Sequence, residues 1–146
     1  MKKIIVGILF VIFALLVGCA TVPLAPEERD TTVKAFAKPA PDKAGLYIYR
    51  TSGMGAGLTK SVYVDGVILG ETAQNTFFYK EILPGKHEVE TESEFSNNSI
   101  TFQAEGGRNY FIKQYIKLGV FIGGAGLTLV TEENGMEEVR GCKLAQ

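Results

Sequence analysis

His87 is the only histidine in the chain, so any acid-base or metal chemistry that needs an imidazole must run through it. It follows a Pro84-Gly85 turn, and an imidazole in a strand leaving such a turn can pack one face while hydrogen-bonding a loop carbonyl. No serine, cysteine or acid stands out as its partner. The expected role is structural, and no catalytic residue is assigned. Gly53-Met54-Gly55-Ala56-Gly57, followed by Leu58-Thr59-Lys60-Ser61, has the composition of a phosphate loop. A true P-loop needs glycine directly before Lys-Ser/Thr and then a helix whose amides meet the phosphate. Here Thr59 precedes Lys60 and a strand follows, so a flexible inter-strand loop is expected, with Met54 exposed to touch a partner. Glu88, Glu90, Glu92 and Glu94 recur at every second position and share one face of a strand. Such a row can hold a basic partner or a divalent cation; more often it is a solvated sheet face paired with lysines, here Lys80, Lys113 and Lys117. Cys19 and Cys142 are the only cysteines, too few for a Cys-cluster metal site, and neither a metal nor a cofactor is expected.

Lys2 and Lys3 precede an apolar stretch from Ile4 to Val17 that holds one glycine, the layout of an export signal. About fourteen residues make roughly 21 Å of helix against a hydrocarbon core of about 30 Å, too short for a comfortable permanent span. Leu16-Val17-Gly18-Cys19 resembles the lipobox read by lipoprotein-processing enzymes. That resemblance implies cleavage before Cys19, a diacylglycerol on its sulfur and usually an acylated amine. Two or three chains then hold the protein where one, at about 0.8 kcal/mol per buried CH₂, holds only marginally. Ala20 stands where aspartate commonly retains lipoproteins in the inner membrane of enteric bacteria. By the same resemblance, the expected location is the outer membrane, facing the periplasm.

Without residues 1–18, the 146-residue chain keeps 128, the size of one domain with a real core. Losing Lys2 and Lys3 leaves 13 of the 15 basic residues against all 16 acids, a net charge of −3. With no basic block, nucleic acid is not an expected partner. A thioether-linked Cys19 cannot join a disulfide, which leaves Cys142 as an odd thiol. It reads either as an intermolecular or reactive thiol or, the favoured reading, as a small buried hydrophobe.

Pro23, Pro26, Pro39 and Pro41 break up the stretch after Cys19. Pro26-Glu27-Glu28 is a helix start, with the acids opposing the helix dipole. Val33, Phe36 and Ala37 share a face that docks on the domain, leaving Ala20 to Ala25 as a free tether of at most roughly 20 Å. From residue 46 the period turns to two: Leu46-Tyr47-Ile48-Tyr49-Arg50, then Ser61 to Val64, a type I′ turn at Asp65-Gly66, and Val67-Ile68-Leu69. That is a hairpin. Thr76 to Ile82, the Pro84-Gly85 turn and His87 to Phe95 read as a second hairpin. Ser99 to Glu105, Asn109 to Leu118 and Leu127 to Val130 follow as strands, and Thr131 caps a short helix that begins at Glu132-Glu133 and stops near Gly141. The sum is a mainly β chain: a single antiparallel β-sandwich or open barrel of about seven or eight strands, with short N-terminal and C-terminal helices. Before the last strand, Gly119, Gly123, Gly124 and Gly126 interleave with Val120, Phe121, Ile122 and Leu127 without a charge. This stretch is either a Gly-rich connection into a core strand or an exposed apolar tip, Val120-Phe121-Ile122, that meets a partner or the membrane surface.

Tyr47-Ile48-Tyr49-Arg50, Val62-Tyr63-Val64-Asp65-Gly66 and Pro84-Gly85-Lys86-His87, in that order behind a lipobox, resemble a bacterial lipoprotein family classified only as a domain of unknown function. The resemblance spans roughly residues 33 to 144, and its Val-Asp-Gly and Pro-Gly-x-His elements also look like those of PEGA-type β domains. It implies a β-rich envelope lipoprotein without an established activity. The expected organisation is a signal peptide over 1–18, a lipidated tether over 19–44 and a β domain over 45–146. The leading expectation for function is a lipid-anchored, non-catalytic module that binds or scaffolds an envelope protein or polymer. Its candidate surfaces are Met54, Phe121, Ile122 and the row from Glu88 to Glu94. The alternatives are a hydrolase of envelope polymers built on His87 and a membrane-active lipoprotein using residues 118–130.

Overall fold

The computed structural model describes residues 20–121 and 123–146; Cys19, the signal segment before it, and Ile122 lie outside the described residues. The strand around which the others assemble is β1 (Ala44–Arg50), whose seven residues are all buried. Leu46-Tyr47-Ile48-Tyr49 is large and apolar at every position, and a strand sends alternate side chains to opposite faces. Both faces therefore need cover.

One face is covered by a sheet. β2 (Lys60–Val64), β3 (Val67–Thr72), β5 (Gly85–Thr91) and β6 (Asn98–Ala104) form four strands ordered β3-β2-β5-β6. β1 lies centrally in a second sheet with β4 (Thr76–Ile82), β7 (Asn109–Lys117), β8 (Gly124–Val130) and β9 (Lys143–Leu144), ordered β8-β7-β1-β4-β9. Ala44, Leu46 and Ile48 pack with Val62, Val64, Val89 and Phe102 in the core between the two sheets. The expected sandwich is present, and neither sheet closes into a barrel.

The other face of β1 is covered by helices and chain ends. Tyr47 and Tyr49 pack with Phe77, Phe111, Phe36, Val139, Cys142 and Leu144 in a second core. These come in part from the segment after α1 (Glu27–Val33) and from α2 (Glu132–Arg140) and the tail beyond it. Tyr47 stacks on Phe111 with ring centroids 4.6 Å apart and planes 9° from parallel. The molecule is thus a sandwich with a third, partly helical layer on its five-stranded sheet.

Two local signals read from the sequence hold. Asp65 and Gly66 both take positive φ, 52° and 76°, as a type I′ turn demands. Thr131 accepts a hydrogen bond from the Asn134 amide and opens α2, with Glu132 and Glu133 in its first turn and Gly141 at its C-cap. The second hairpin is corrected. β4 and β5 do not pair: β4 lies between β1 and β9, and β5 lies between β2 and β6. The reason is side-chain character. Phe77 and Phe78 bury both faces of β4, which suits the doubly covered sheet, whereas the glutamates of β5 need a sheet with one wet face. Pairing also departs from wholly antiparallel, since β1 runs parallel to β7 and β4 parallel to β9.

Residues 20–25 are bonded to the domain where the sequence suggests a free tether. Leu24 bridges Ala145, the Ala25 amide donates to the Leu144 carbonyl at 2.8 Å, and the Gln146 amide donates to the Pro23 carbonyl at 3.0 Å. Asp30 in α1 completes the clamp: buried, it accepts the Leu144 amide at 2.7 Å and pairs with Lys34 at 2.8 Å. Burial alone pushes its carboxyl pKa up, but the Lys34 ammonium and the Leu144 amide hold it below its ordinary value.

Two expectations test this packing. A Cβ at Gly135 would lie 2.2 Å from Phe111 Cγ. Gly135→Ala, which inside an ordinary helix gains about 1 kcal/mol, should here cost about 1–3 kcal/mol, read as a lower urea midpoint. Asp30→Ala strands the buried Leu144 amide and leaves the Lys34 ammonium with only the Cys142 carbonyl, and should cost about 1–3 kcal/mol at neutral pH. Because folding lowers the Asp30 pKa, its contribution is full above the unfolded value of about 3.9 and is lost as pH falls through the folded value. The variant's unfolding free energy should fall less steeply than the wild type's across that acid window.

Candidate functional site

The strands bring four loops to one pole of the sandwich. β1 and β7 end there, β4 and β8 begin there, and β2 and β5 meet there through Thr91, which donates to the Ser61 carbonyl. The loops span residues 51–59, 73–75 and 92–97 and, in the fourth, the described residues 118–121 and 123. Two side chains hold them in shape. Arg50 donates through Nη2 to the carbonyls of Gly55 at 3.1 Å and Leu58 at 2.7 Å. The Glu94 carboxylate accepts the amides of Val120, at 2.7 Å, and of Phe121. Leu58 closes the gap between the first loop and the last, lying 2.9 Å from where a Cβ on Gly123 would stand.

Tied down in this way, the loops present apolar side chains to solvent. Leu118 and Phe121 are each 85 % exposed, Phe95 79 %, Val120 74 % and Met54 59 %. The opposite pole, at the Asp65-Gly66 and Pro84-Gly85 turns, carries Val67, Ile68 and Leu83, each about as exposed as Met54 and less so than Phe95, Leu118, Val120 and Phe121. Single exposed apolar residues are ordinary, but five on neighbouring loops form a patch. The first described residue lies at the same pole: the Ala20 amide donates to the Ala56 carbonyl at 3.1 Å.

Behind the patch the core between the sheets turns polar. Gln114, buried on β7, accepts from the Thr72 hydroxyl and donates to the Thr91 hydroxyl at 2.6 Å. Thr91 also donates to the Ser61 carbonyl, and the Thr72 hydroxyl oxygen lies 3.2 Å from the Lys60 carbonyl. Gln114 thus bridges the two sheets. Neither it nor the burial of Arg50 stands out in the sequence, where both fall at the end of, or inside, strands of ordinary composition.

The residues singled out by sequence fall into separate groups. Met54 and Phe121 share the exposed pole, and Ile122 and Cys19 lie outside the described residues. Residues 118–121 form the exposed tip, while 124–130 are strand β8, so both readings of the Gly-rich stretch apply to different parts of it. The glutamate row divides because β5 ends at Thr91. Glu88 and Glu90 stay on the outer sheet face, Glu92 turns toward the Ser61 amide and Lys60, and Glu94 holds the tip. The expected lysine partners are corrected: Lys80, Lys113 and Lys117 belong to β4 and β7, in the other sheet. Lys113 instead pairs with Glu138, and Lys117 lies over the Tyr115 ring.

His87 has the geometry of a turn fastener. Nε2 donates to the Leu83 carbonyl and Nδ1 faces Asp65 Oδ2, each at 2.7 Å, while its ring lies 6.0 Å from that of Phe102. Burial pushes the Asp65 carboxyl pKa up, yet the Glu88 amide and His87 hold it below its ordinary value. Cys142 is buried, and that burial pushes its thiol pKa up to about 11, leaving it protonated and unreactive at neutral pH.

The sequence does not disclose a further polar cluster on the helical face. Glu138 of α2 accepts from the Tyr49 hydroxyl and from Lys113, beside a cleft of about 420 Å³ also lined by Val130, Asn134 and Glu137. Burial pushes the Glu138 carboxyl pKa up, but Lys113 and Tyr49 hold it below its usual value. The three groups satisfy one another, so the cluster reads as the polar fastening of α2 to the sheet. Among the described residues, no helix is long and apolar enough to cross a membrane.

A protein of Haemophilus influenzae (strain ATCC 51907 / DSM 11121 / KW20 / Rd), described as "Uncharacterized protein", is 48 % identical over 131 residues, covering 90 % of this chain and 78 % of that relative. No solved structure matches. Residues 40–125, from just before β1 to the start of β8, match the family described as "Protein of unknown function (DUF2846)". They include Arg50, Gln114 and all four loops of the apolar pole. By that match and that relative, the chain belongs to the DUF2846 family of proteins of unknown function.

Proposed function

We infer that this chain is a lipid-anchored, non-catalytic envelope module that lies with its apolar pole against the membrane holding its anchor. One observation carries the reading: the Ala20 amide is bonded to Ala56, in the same loop as exposed Met54. Cys19 directly precedes Ala20, and consecutive Cα atoms are about 3.8 Å apart. Acyl chains on Cys19 would therefore leave the protein beside Met54, Phe95, Leu118, Val120 and Phe121.

The energetics agree with a two-part attachment. The acyl chains provide the stable hold, and each large apolar side chain taken from water adds about 1.5–3 kcal/mol when buried fully. Partial insertion of a few such residues fixes the orientation of an anchored domain without needing to hold it alone. The outer face of the four-stranded sheet, with Glu88 and Glu90, would then be turned sideways to the membrane and open to an envelope protein or polymer in the periplasm. A non-catalytic role is supported by His87, whose two ring nitrogens are both engaged at the turn. The outer membrane is proposed on the residue after the lipobox, Ala20 rather than aspartate.

Fractionation and crosslinking in cells test the two parts separately. Cys19→Ala should leave the protein as an uncleaved precursor without lipid; maturation with full membrane retention would sink the anchor. A photo-crosslinking residue at 54 or 121 of the lipidated protein should capture lipid, and one at 83, on the opposite pole, should not. Protein adducts without lipid at 54 and 121 would overturn membrane apposition and make the pole a protein-binding surface.

A further inference from the structure

Arg50 is the last inward-facing residue of β1, following Ala44, Leu46 and Ile48. Its position brings a guanidinium into the space between the sheets, where it is 3 % exposed. Nη2 is engaged by the Gly55 and Leu58 carbonyls, but Nη1 has no hydrogen-bond partner. None of the ion pairs among the described residues includes Arg50. A buried charge without a counter-charge is among the most costly arrangements a core can hold, and guanidinium remains charged even when burial lowers its pKa, as it does here. Lys60 nearby in sequence and equally buried does not relieve it; its own carboxylate partner, Glu92, is 3.8 Å away.

Beside Arg50 lies a cavity of about 200 Å³. Thr51, Ser52, Lys113, Gln114 and Tyr115 also border it, so the lining has the Arg50 guanidinium, the Lys113 ammonium already paired with Glu138, hydroxyls and an amide but no carboxylate. The β7 backbone adds to this character. Its last pairing with β1 is Lys113 with Tyr49, yet β7 runs on to Lys117, so the edge past Lys113 borders the cavity without a strand on that side. The volume is below the range of about 300–1,000 Å³ typical of drug-sized ligands. Small size, a guanidinium without a counter-charge and a nitrogen without a partner suit a compact anion that accepts one charge-assisted hydrogen bond from Nη1 while Nη2 stays on the Gly55 and Leu58 carbonyls.

We propose that this cavity binds a small oxyanion, a phosphate or carboxylate group, through Arg50 at the end of β1. The site does not depend on the lipid-anchored reading. Because it opens among the loops of the apolar pole, the same chemistry has two sources: a free anion in solution or the phosphate of a lipid headgroup.

The test uses the full-length protein in neutral detergent micelles, following the Arg50 side-chain and residue 51–54 amide resonances by NMR. Inorganic phosphate and acetate are titrated in one arm, and phosphatidylglycerol is added to the micelles in the other. Saturable shifts with phosphate or acetate establish the site for free anions; shifts with phosphatidylglycerol alone establish it for headgroups. Ser52→Trp fills the mouth from an exposed position, and should weaken binding at least about tenfold while leaving the thermal midpoint unchanged. Arg50→Lys keeps the charge but has no second nitrogen to reach the anion while the first holds the loop, and should also weaken it. Absence of saturable shifts in both arms, or wild-type affinity in Ser52→Trp, would overturn the proposal, whatever the crosslinking from positions 54 and 121 reports about the membrane.

Discussion

Burying β1 on both of its faces is a demand that a single opposing sheet cannot meet. Ala44, Leu46 and Ile48 need only apolar neighbours, and the four-stranded sheet supplies them through Val62, Val64, Val89 and Phe102. Tyr47 and Tyr49, on the reverse, each bring a large ring and a hydroxyl that must find a partner once buried. A helical layer meets both needs. The Tyr47 hydroxyl donates to the Val33 carbonyl at 3.1 Å at the end of α1, and the Tyr49 hydroxyl donates to Glu138 in α2. The tyrosines of one strand thereby account for the two helices being where they are.

The same strand sets the character of the loop pole. Apolar for most of its length, it ends in Arg50, and the core between the sheets changes with it from aliphatic to polar. Gln114, Thr72 and Thr91 form a bridge of hydrogen bonds across the sheets at that level. Hydrogen bonds across such a layer fix the loops more firmly than apolar contacts alone, because breaking any of them would leave a buried polar group without its partner. It is on this base that Leu118, Val120 and Phe121 can stand in solvent, their turn held from within by Glu94. Order behind the patch and apolar side chains on it are two aspects of one design.

What the sequence makes legible is local. The Asp65-Gly66 turn and the Thr131 cap depend on backbone preferences of a few neighbouring residues, and both are found as read. The Pro84-Gly85 turn is also present, but whether it joins two strands of one sheet or passes between sheets is decided elsewhere. That choice depends on β4 having a doubly buried neighbour in β1, a contact between distant parts of the chain. The same holds for the site. Met54 and Phe121 are identifiable as exposed apolar residues, yet 67 positions separate them, and nothing along the chain places them on one pole. The glutamate row is legible only as far as the strand that carries it: once β5 stops at Thr91, Glu92 is free to turn toward Lys60 and Glu94 toward the loop at 118–121. Burial of Arg50 is illegible for a related reason, since an arginine closing a strand usually marks its emergence into water.

The clamp between residues 23–30 and 144–146 bears on how the protein is made. Leu144 bonds both Ala25 and Asp30, the latter 114 positions away in sequence. Synthesis proceeds from the N-terminus, so α1 emerges early and must wait for residues 143–146 before its partners exist. A chain arrested before that point would keep its first segment loose, with Asp30 uncovered and the tyrosine face of β1 missing Leu144. Docking of the first segment is thus a late event in synthesis: residues 23–30 can be seated only after residues 144–146 have been made.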